Sequence, residues 1–302
     1  MSLAEKLKDL ILVNEPQFES GTRKAKVIAI CSQKGGVGKT TTAVNLGSSL
    51  AQFHRKQVLV VDLDPQGHVE KALGSIVKEG VEYTPLSKVL ENRKGNLLEA
   101  IIKTELENFH LTPGDKNLIQ TEATLSSRIG REFILKTAMQ TARTHYDYIL
   151  LDCPPAMGNL TINGLVAADC VLIPCEMSVL SFEGVADLAE TLREVTQRLN
   201  KKLSVLGVLF TRVDGRNITM NDLIAENMKK HFKNKIMKTQ VQVNIALNKA
   251  QLEGRPIFQF EPSSTGSENY QSLALEILQK LKVPLSQANQ EISRDRSAAG
   301  AE

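Results

Sequence analysis

The chain alternates short apolar runs with longer segments of helical periodicity. The apolar runs are Val27–Cys31, Val58–Val61, Ile149–Leu151, Cys170–Ile173 and Leu203–Val213. Each run is short and bounded by polar or turn-forming residues, so it predicts a buried β-strand. Between the runs, apolar residues recur at steps of three and four, which predicts helices with one buried face. At least five alternations predict an α/β fold, a mostly parallel doubly wound sheet with helices on both faces.

A glycine-rich turn, KGGVGKTT from Lys34, separates the first predicted strand from a helix over about 40–52. Glycines let the backbone approach a ligand and turn successive N–H groups inward, and the helix adds unpaired donors at its positive end. A chance Gly-Lys-Thr turn would not need a strand before it and a helix after it. The order strand, loop, Lys-Thr and helix therefore predicts the phosphate cradle of a P-loop protein. The predicted phosphate-binding residues are Lys34, Gly35, Gly36, Val37, Gly38, Lys39, Thr40 and Thr41.

Carboxylates follow two of the later strands, at the sheet edge where α/β proteins bind ligands. One strand runs into DLDPQG, residues 62–67, and another ends at Asp152. Asp152 stands where a carboxylate holds Mg²⁺ through its water shell, with the Thr40 hydroxyl on the same ion. Asp64 is placed to orient the water that attacks a γ-phosphate, and Asp62 to hold a water on the metal. The predicted metal residues are Thr40, Asp62, Asp64 and Asp152, and the predicted catalytic residues are Lys34, Lys39 and Asp64.

The phosphate loop departs from the general GxxxxGK[ST] pattern, because Gln33 replaces the first glycine and Lys34 opens the loop. This deviant loop, with DLDPQG and YDYILLDCPP, resembles the ParA/MinD group of ATPases, above all the Soj-like ParA partition ATPases. The resemblance covers about 24–282. It implies that ATP and Mg²⁺ are the cofactors, that ATP closes two copies into a homodimer, and that Lys34 reaches the partner's nucleotide. It also implies slow hydrolysis stimulated by a ParB-like partner.

The predicted strand Leu203–Val213 ends in Thr-Arg-Val-Asp, where a GTPase would carry Asn-Lys-x-Asp. Guanine recognition is therefore unsupported, and adenine is favoured. The resemblance places the segment 239–248 against the adenine. The predicted base contacts are Thr211, Val243 and Asn244.

A mild net charge of +3 gives no strong nucleic-acid signal, and the absence of Trp argues against stacking of single-stranded bases. The resemblance instead implies duplex DNA bound without sequence preference. The candidate phosphate contacts, which also fit a solvated helix face, are Arg212, Arg216, Lys230, Lys233, Lys249 and Arg255. Family members usually carry two arginines in a segment of the form IPRNVRLSEAPSYGKP. This chain departs from that form, with Val243 and Ala246 at the arginine positions.

The 302 residues, 42% of them hydrophobic, are enough for one large α/β domain with ends, or two small domains. The sequence pattern predicts an N-terminal helical arm over 1–22 and a polar, disordered tail over 284–302, and the resemblance implies a ParA-like ATPase domain over 23–283. The arm either packs on its own domain or docks a partner protein. No apolar run reaches about 18 residues and no signal-peptide core is present, which predicts a cytoplasmic protein without a membrane partner. The resemblance implies that it is nucleoid-associated. The four cysteines are predicted to be buried core residues, and a surface helix is predicted over 126–143.

The resemblance implies an ATP-dependent switch that partitions chromosome or plasmid DNA. Three alternatives remain open. A ParA-like locator of another cargo, such as a chemoreceptor array or a polar organelle, would fit the missing arginines. A MinD-like division-site ATPase would need a basic amphipathic C-terminal helix, which the tail lacks. An iron–sulfur reductase of related fold would need cysteine ligands at a spacing that this chain does not show.

Overall fold

The computed structural model describes residues 20–78, 80–178, 181–216, 222–226, 228, 232 and 235–281. Most of the predicted N-terminal arm, the whole predicted tail, and the DNA candidates Lys230 and Lys233 lie outside these residues. Within the described part of the chain, no helix is both long and apolar enough to cross a membrane.

A seven-stranded sheet forms the centre of the described fold. Its strands are β1 Lys26–Ile30, β2 Val58–Asp62, β3 Ile102–Lys103, β4 Phe109–Thr112, β5 Tyr148–Asp152, β6 Cys170–Glu176 and β7 Ser204–Thr211. The spatial order is β3-β4-β2-β5-β1-β6-β7, and every neighbouring pair is parallel except β3 with β4. The prediction of a mostly parallel sheet is confirmed.

Helices follow most strands and return the chain to the start of the next one. They are α1 Lys39–His54, α2 His68–Leu73, α3 Leu86–Glu91, α4 Leu118–Leu125, α5 Ile134–Ala138, α6 Asn159–Ala167, α7 Ser181–Arg198, α8 Ile245–Leu252, α9 Ile257–Phe260 and α10 Thr265–Lys280. Short 3₁₀ turns cover Gly74–Ile76, Leu97–Ala100, Arg131–Phe133 and Ala142–Thr144.

Hydrophobic residues fill both faces of the sheet, because successive strand residues point to opposite sides. On β1, Val27 belongs to the core beneath α6 and α7, whereas Ile28 belongs to the core beneath α1 and α10. All four cysteines are free and buried, as predicted. A sheet covered on both faces confirms the doubly wound arrangement.

The predicted helix over 126–143 is wrong. Gly130 adopts a left-handed φ of 73°, which breaks a continuous helix and leaves only α5 between two 3₁₀ turns. The buried side chain of Asn163 holds this irregular segment, since its Oδ1 accepts from Leu135 N at 3.0 Å and its Nδ2 donates to Arg131 O at 2.8 Å. A pattern of apolar spacing does not reveal that contact.

Strand register brings the carboxyl ends of three strands to one level. Ile30 on β1 and Asp62 on β2 both pair with Asp152 on β5. The segments that follow these strands therefore meet at one edge of the sheet. The sequence places the glycine-rich loop and both acidic motifs in those segments.

Candidate nucleotide-binding site

The glycine-rich loop connects β1 to α1 with two residues in the left-handed region, Gly36 at φ 73° and Gly38 at φ 86°. A Cβ at either position would meet no atom within 4 Å, so the backbone conformation rather than crowding calls for glycine. Gly38 is the N-cap of α1 and provides no side-chain cap. The N–H groups of the first turn therefore remain available to an anion.

Lys39 and Thr40 begin α1 directly after this loop. Lys39 is only 8% exposed, and its Nζ donates to Lys34 O at 3.2 Å, so its charge is held inside the loop. Thr40 Oγ1 donates to Asp152 Oδ2 at 2.6 Å, which joins the loop to the end of β5. The sequence predicted that Lys39 and Thr40 follow the loop and serve the phosphate site, and the fold brings them together with Asp152.

Asp152 has the features of a metal-site carboxylate. It is 1% exposed, and its second oxygen, Oδ1, is buried and has no hydrogen-bond partner among the described residues. Burial raises the pKa of its carboxyl to about 7, although the Thr40 hydroxyl and the Lys39 charge oppose the rise. A buried, unpartnered carboxylate oxygen beside a threonine hydroxyl is a hard oxygen donor set, which suits Mg²⁺. The residues present therefore fit the metal.

Asp62 anchors the loop that follows β2. Its Oδ1 accepts from Asp64 N at 2.9 Å and its Oδ2 from Val69 N at 3.0 Å. Burial, and then the charge of Asp152, raise the pKa of this fully buried carboxyl well above its usual range. Asp62 therefore has a structural role that the sequence did not reveal. That Asp62 also holds a metal-bound water stays a prediction.

Asp64 lies in the turn that Asp62 anchors, and it lines a cavity of about 560 Å³ together with residues of the phosphate loop. Gln66 N donates to Asp64 Oδ1 at 3.0 Å, and Gly67 N donates to Asp64 O at 3.0 Å. Gly114, two residues beyond the end of β4, packs closely against this turn, because a Cβ there would lie 2.3 Å from Asp64 O. Asp64 is therefore held by its own turn at the rim of the cavity.

Three polar residues that line this cavity were not predicted from the sequence, namely His68, Glu122 and Gln251. They come from α2, α4 and α8, and none belongs to a recognisable motif. Glu122 Oε1 accepts from Leu160 N at 3.2 Å and so joins α4 to the start of α6. These residues can be identified only from the tertiary structure, because the sequence around them matches no nucleotide-binding motif.

A second cavity, of about 140 Å³, lies on the other side of the phosphate loop. All three predicted base contacts line it: Thr211, Val243 and Asn244. Thr211 Oγ1 donates to Val37 O at 2.9 Å and fixes the end of β7 to the loop. Asn244 caps α8, because its Oδ1 accepts from Ala246 N at 2.8 Å. The structure brings these residues together, and their contact with a base stays a prediction.

The side chain of Lys34 reaches the end of β6. Its Nζ pairs with Glu176 Oε2 and lies 3.5 Å from Ser178 Oγ. Arg212 joins the same carboxylate, with its Nε 3.9 Å from Glu176 Oε1. The ion pair and its partners were not predicted from the sequence.

The described DNA candidates have different surroundings. Arg212 lies against the phosphate loop, with its Nη1 donating to Gly36 O at 3.4 Å. Arg216 pairs with Asp214 at 2.7 Å, and Arg255 Nε is buried without a hydrogen-bond partner in the part of the chain that the structure describes. Lys249 is exposed on α8. Arg212 therefore contacts the phosphate loop, and the role of all four residues in DNA binding stays a prediction.

The geometry agrees with comparisons to known proteins. The family model described as an AAA domain matches residues 25–205. The sporulation initiation inhibitor protein Soj of Bacillus subtilis (strain 168) is 41% identical over 252 residues, which cover 83% of this chain and 98% of that protein. The chromosome partitioning protein ParA of Myxococcus xanthus (strain DK1622) is 37% identical over 255 residues, covering 84% and 88% of the two chains.

Among solved structures, the cobyrinic acid a,c-diamide synthase of Mycobacterium smegmatis with bound ATP analog and magnesium superposes with a TM-score of 0.73. It is 29% identical, and the match covers 87% of this chain and 99% of that one. The phosphate loop, the paired Thr40 and Asp152, and relatives that match along most of their length all lead to one assignment. The chain belongs to the ParA/Soj family of partition ATPases.

Proposed function

We propose that this protein is an ATP-dependent switch whose two copies associate around ATP and Mg²⁺ and separate after hydrolysis. The observation that carries the proposal is the pairing of Thr40 with Asp152 beside the glycine loop, which leaves a buried carboxylate oxygen without a partner. Bound Mg²⁺ would neutralise charge on the β- and γ-phosphate oxygens. The loop N–H groups and Lys39 bind the phosphates, and the cavity bordered by Thr211, Val243 and Asn244 takes the adenine.

Asp64 orients the attacking water in this proposal. Asp64 lines the same cavity as the phosphate loop, and among the described residues its carboxylate accepts a hydrogen bond from Gln66 N of its own turn. Such a carboxylate is well placed and incompletely constrained, so hydrolysis by the protein alone is slow. A ParB-like partner that orders the turn around residues 64–67 would then accelerate it.

The two-state logic follows from thermodynamics. ATP favours the dimer only if it binds the dimer more tightly than the single chain, and Lys34 supplies the difference by reaching the partner's nucleotide. The dimer then binds duplex DNA without sequence preference, which places the protein on the nucleoid. Support comes from the relatives Soj and ParA, the latter named for chromosome partitioning.

Light scattering with and without nucleotide tests the proposal. Wild-type protein is expected to double in mass with ATP and Mg²⁺ and to remain a single chain with ADP. Lys39→Ala is expected to lose nucleotide binding, because Lys39 is the buried cation of the loop. Unchanged mass with saturating ATP would overturn the proposal.

A second candidate function is supported by α8 and by Val243, which lies just before it. Val243 is 62% exposed but carries no charge, and Ala246 is only 7% exposed. Ile245 and Leu252 on the same helix are 70% and 88% exposed. An apolar surface where relatives are expected to carry arginines favours a ParA-like locator of a protein cargo. DNA binding separates the two, since a partition ATPase binds duplex DNA only with ATP, and its affinity falls with salt by a slope of about −0.9 per phosphate contact.

A further inference from the structure

The carboxylate of Glu176, the last residue of β6, lies between two cations. Its Oε2 accepts from Lys34 Nζ, and its Oε1 lies 3.9 Å from Arg212 Nε. The carboxylate is 29% exposed, whereas the Lys34 and Arg212 side chains are 38% and 61% exposed. One partly buried acid therefore interacts with both bases.

Backbone pairing fixes Arg212 next to Glu176. Glu176 pairs with Thr211 at the end of the β6–β7 ladder, and Met177 N donates to Thr211 O at 3.2 Å. Arg212 then takes a left-handed φ of 51°, a conformation that few arginines adopt. This turn lets its guanidinium reach Glu176 and the carbonyl of Gly36 together. Strained residues of this kind occur preferentially at functional sites.

The proposed function requires Lys34 to leave Glu176 and enter the partner's nucleotide site. That movement would remove a positive charge from a carboxylate that is largely shielded from water, which is unfavourable without a replacement. A guanidinium presents several donors in a fixed plane and is well suited to hold a carboxylate. Arg212 is already adjacent and keeps a second contact with the phosphate loop.

We propose that Arg212 is a positioning residue that takes over the Glu176 carboxylate when Lys34 departs, and so sets the ATP concentration at which two copies associate. This inference rests on the proposed function, since it assumes that Lys34 serves the partner's site. Arg212 acts through Glu176 and Lys34 and has no part in the chemical step. Its assignment here differs from a role as a DNA contact.

Dimerisation measured against ATP concentration tests the inference. Arg212→Met is expected to raise the ATP concentration at half-association by about two- to fivefold, the range of a partly exposed ion pair, and Glu176→Gln to lower it. Arg212→Lys keeps the charge and is expected to restore most of the wild-type value. In the Glu176→Gln background, adding Arg212→Met should not change the ATP concentration at half-association, because the carboxylate through which Arg212 acts on Lys34 is gone.

The matched control is Arg23→Met. Arg23 pairs with Asp147 at 3.3 Å with side-chain exposures of 45% and 33%, beside the amino end of β1. It resembles Arg212 in kind and exposure but lies away from the cradle, so its removal should leave the ATP concentration at half-association unchanged. Thermal unfolding of each variant verifies that the fold is intact.

Chemical labelling of the nucleotide-free protein provides a readout that needs no dimer. Acetic anhydride should acetylate Lys34 faster in Glu176→Gln and more slowly in Arg212→Met, measured by mass spectrometry against Lys56 in the same sample. If the wild type fails to associate with ATP, the proposed function is wrong, and the labelling still tests whether Arg212 competes with Lys34 for the Glu176 carboxylate. If the wild type associates but Arg212→Met matches it in both assays, the inference about Arg212 is wrong.

Discussion

Individual side chains explain how much of the site the sequence reveals. Lys39, Thr40 and Asp152 were predicted to lie together, because each follows a strand whose carboxyl end must meet the others in a parallel sheet. The Lys34–Glu176 pair joins residues 142 positions apart, and neither local spacing nor composition encodes it. Asp62 was predicted in part: its position at the end of β2 was predicted, but the hydrogen bonds that it accepts from two backbone N–H groups were not.

A partly buried histidine outside the nucleotide motifs gives a prediction about stability at residue scale. His110 on β4 has its pKa lowered to about 4 by burial and then by Lys103 and Lys78, and its Nδ1 lies 2.7 Å from Tyr146 OH. The unfolded chain binds a proton near the ordinary pKa of 6.5, whereas the folded chain does not until about pH 4. Stability is therefore full above pH 6.5 and is lost as the pH falls toward 4.

Urea unfolding at pH 7 and pH 5 checks this expectation. Wild type should lose about 1 kcal/mol from His110 between these values, after allowance for solvent at the partly buried ring. His110→Gln, which cannot take up the proton, should lose less over the same interval. The pKa of His54 is lowered in the same direction, so some acid sensitivity remains in the variant. Parallel pH profiles for the two proteins would contradict the assignment.

At the scale of elements, loops differ from strands in how far the sequence predicts them. The strands follow from apolar runs, and the helices with long stripes follow from periodicity. The prediction of a helix over 126–143 was wrong because the side chain of Asn163, on α6, satisfies backbone groups of this segment. Part of the cavity wall was missed for the same reason, since tertiary packing rather than local pattern brings Glu122 of α4 and Gln251 of α8 to the site.

Gly114 gives a prediction about the loop that carries Asp64. A Cβ at this position would lie 2.3 Å from Asp64 O and 3.0 Å from Asp62 Cγ. Because the nearest atom belongs to the backbone, Gly114→Ala should displace the turn and reduce the free energy of unfolding by about 1–3 kcal/mol. Hydrolysis should slow markedly, whereas ATP affinity, which depends on the loop before α1, should change little.

Turnover and ATP binding measured on the same preparation separate these effects. Gly74→Ala is the matched control, because a Cβ there meets no atom within 4 Å and the backbone has an ordinary helical φ of −56°. The control should keep wild-type turnover and stability. Normal hydrolysis in Gly114→Ala would show that the position of this turn does not govern the Asp64 carboxylate.

For the whole molecule, the proposed cycle makes a prediction about Asp64. Asp64→Ala should bind ATP normally, since the phosphate cradle is built from other residues, but should not orient the attacking water. The ATP-bound dimer should therefore persist after excess ADP is added, as followed by light scattering, while the wild-type dimer dissociates. Turnover at the wild-type rate in this variant would remove Asp64 from the catalytic role.

The choice between DNA and another cargo depends on the surface around α8, and two arginine substitutions test it. Val243 is 62% exposed, so Val243→Arg should fold and place one new cation per chain at the surface. If the dimer lies on DNA with this face, the salt dependence of binding should steepen by about 0.9 for each added phosphate contact, up to two contacts per dimer. Fluorescence anisotropy of a labelled duplex over a range of salt, with ATP and with ADP, measures this slope.

Ala246→Arg serves as the contrasting variant because Ala246 is 7% exposed and packs in the core beneath α1 and α10. An arginine there must bury its charge or disrupt the packing, so the variant should lose stability rather than gain DNA affinity. A steeper slope in Val243→Arg, seen only with ATP, supports DNA as the cargo surface. An unchanged slope in a stable, ATP-dimerising Val243→Arg protein would show that this face does not touch DNA and would favour a protein cargo on the apolar residues Ile245 and Leu252.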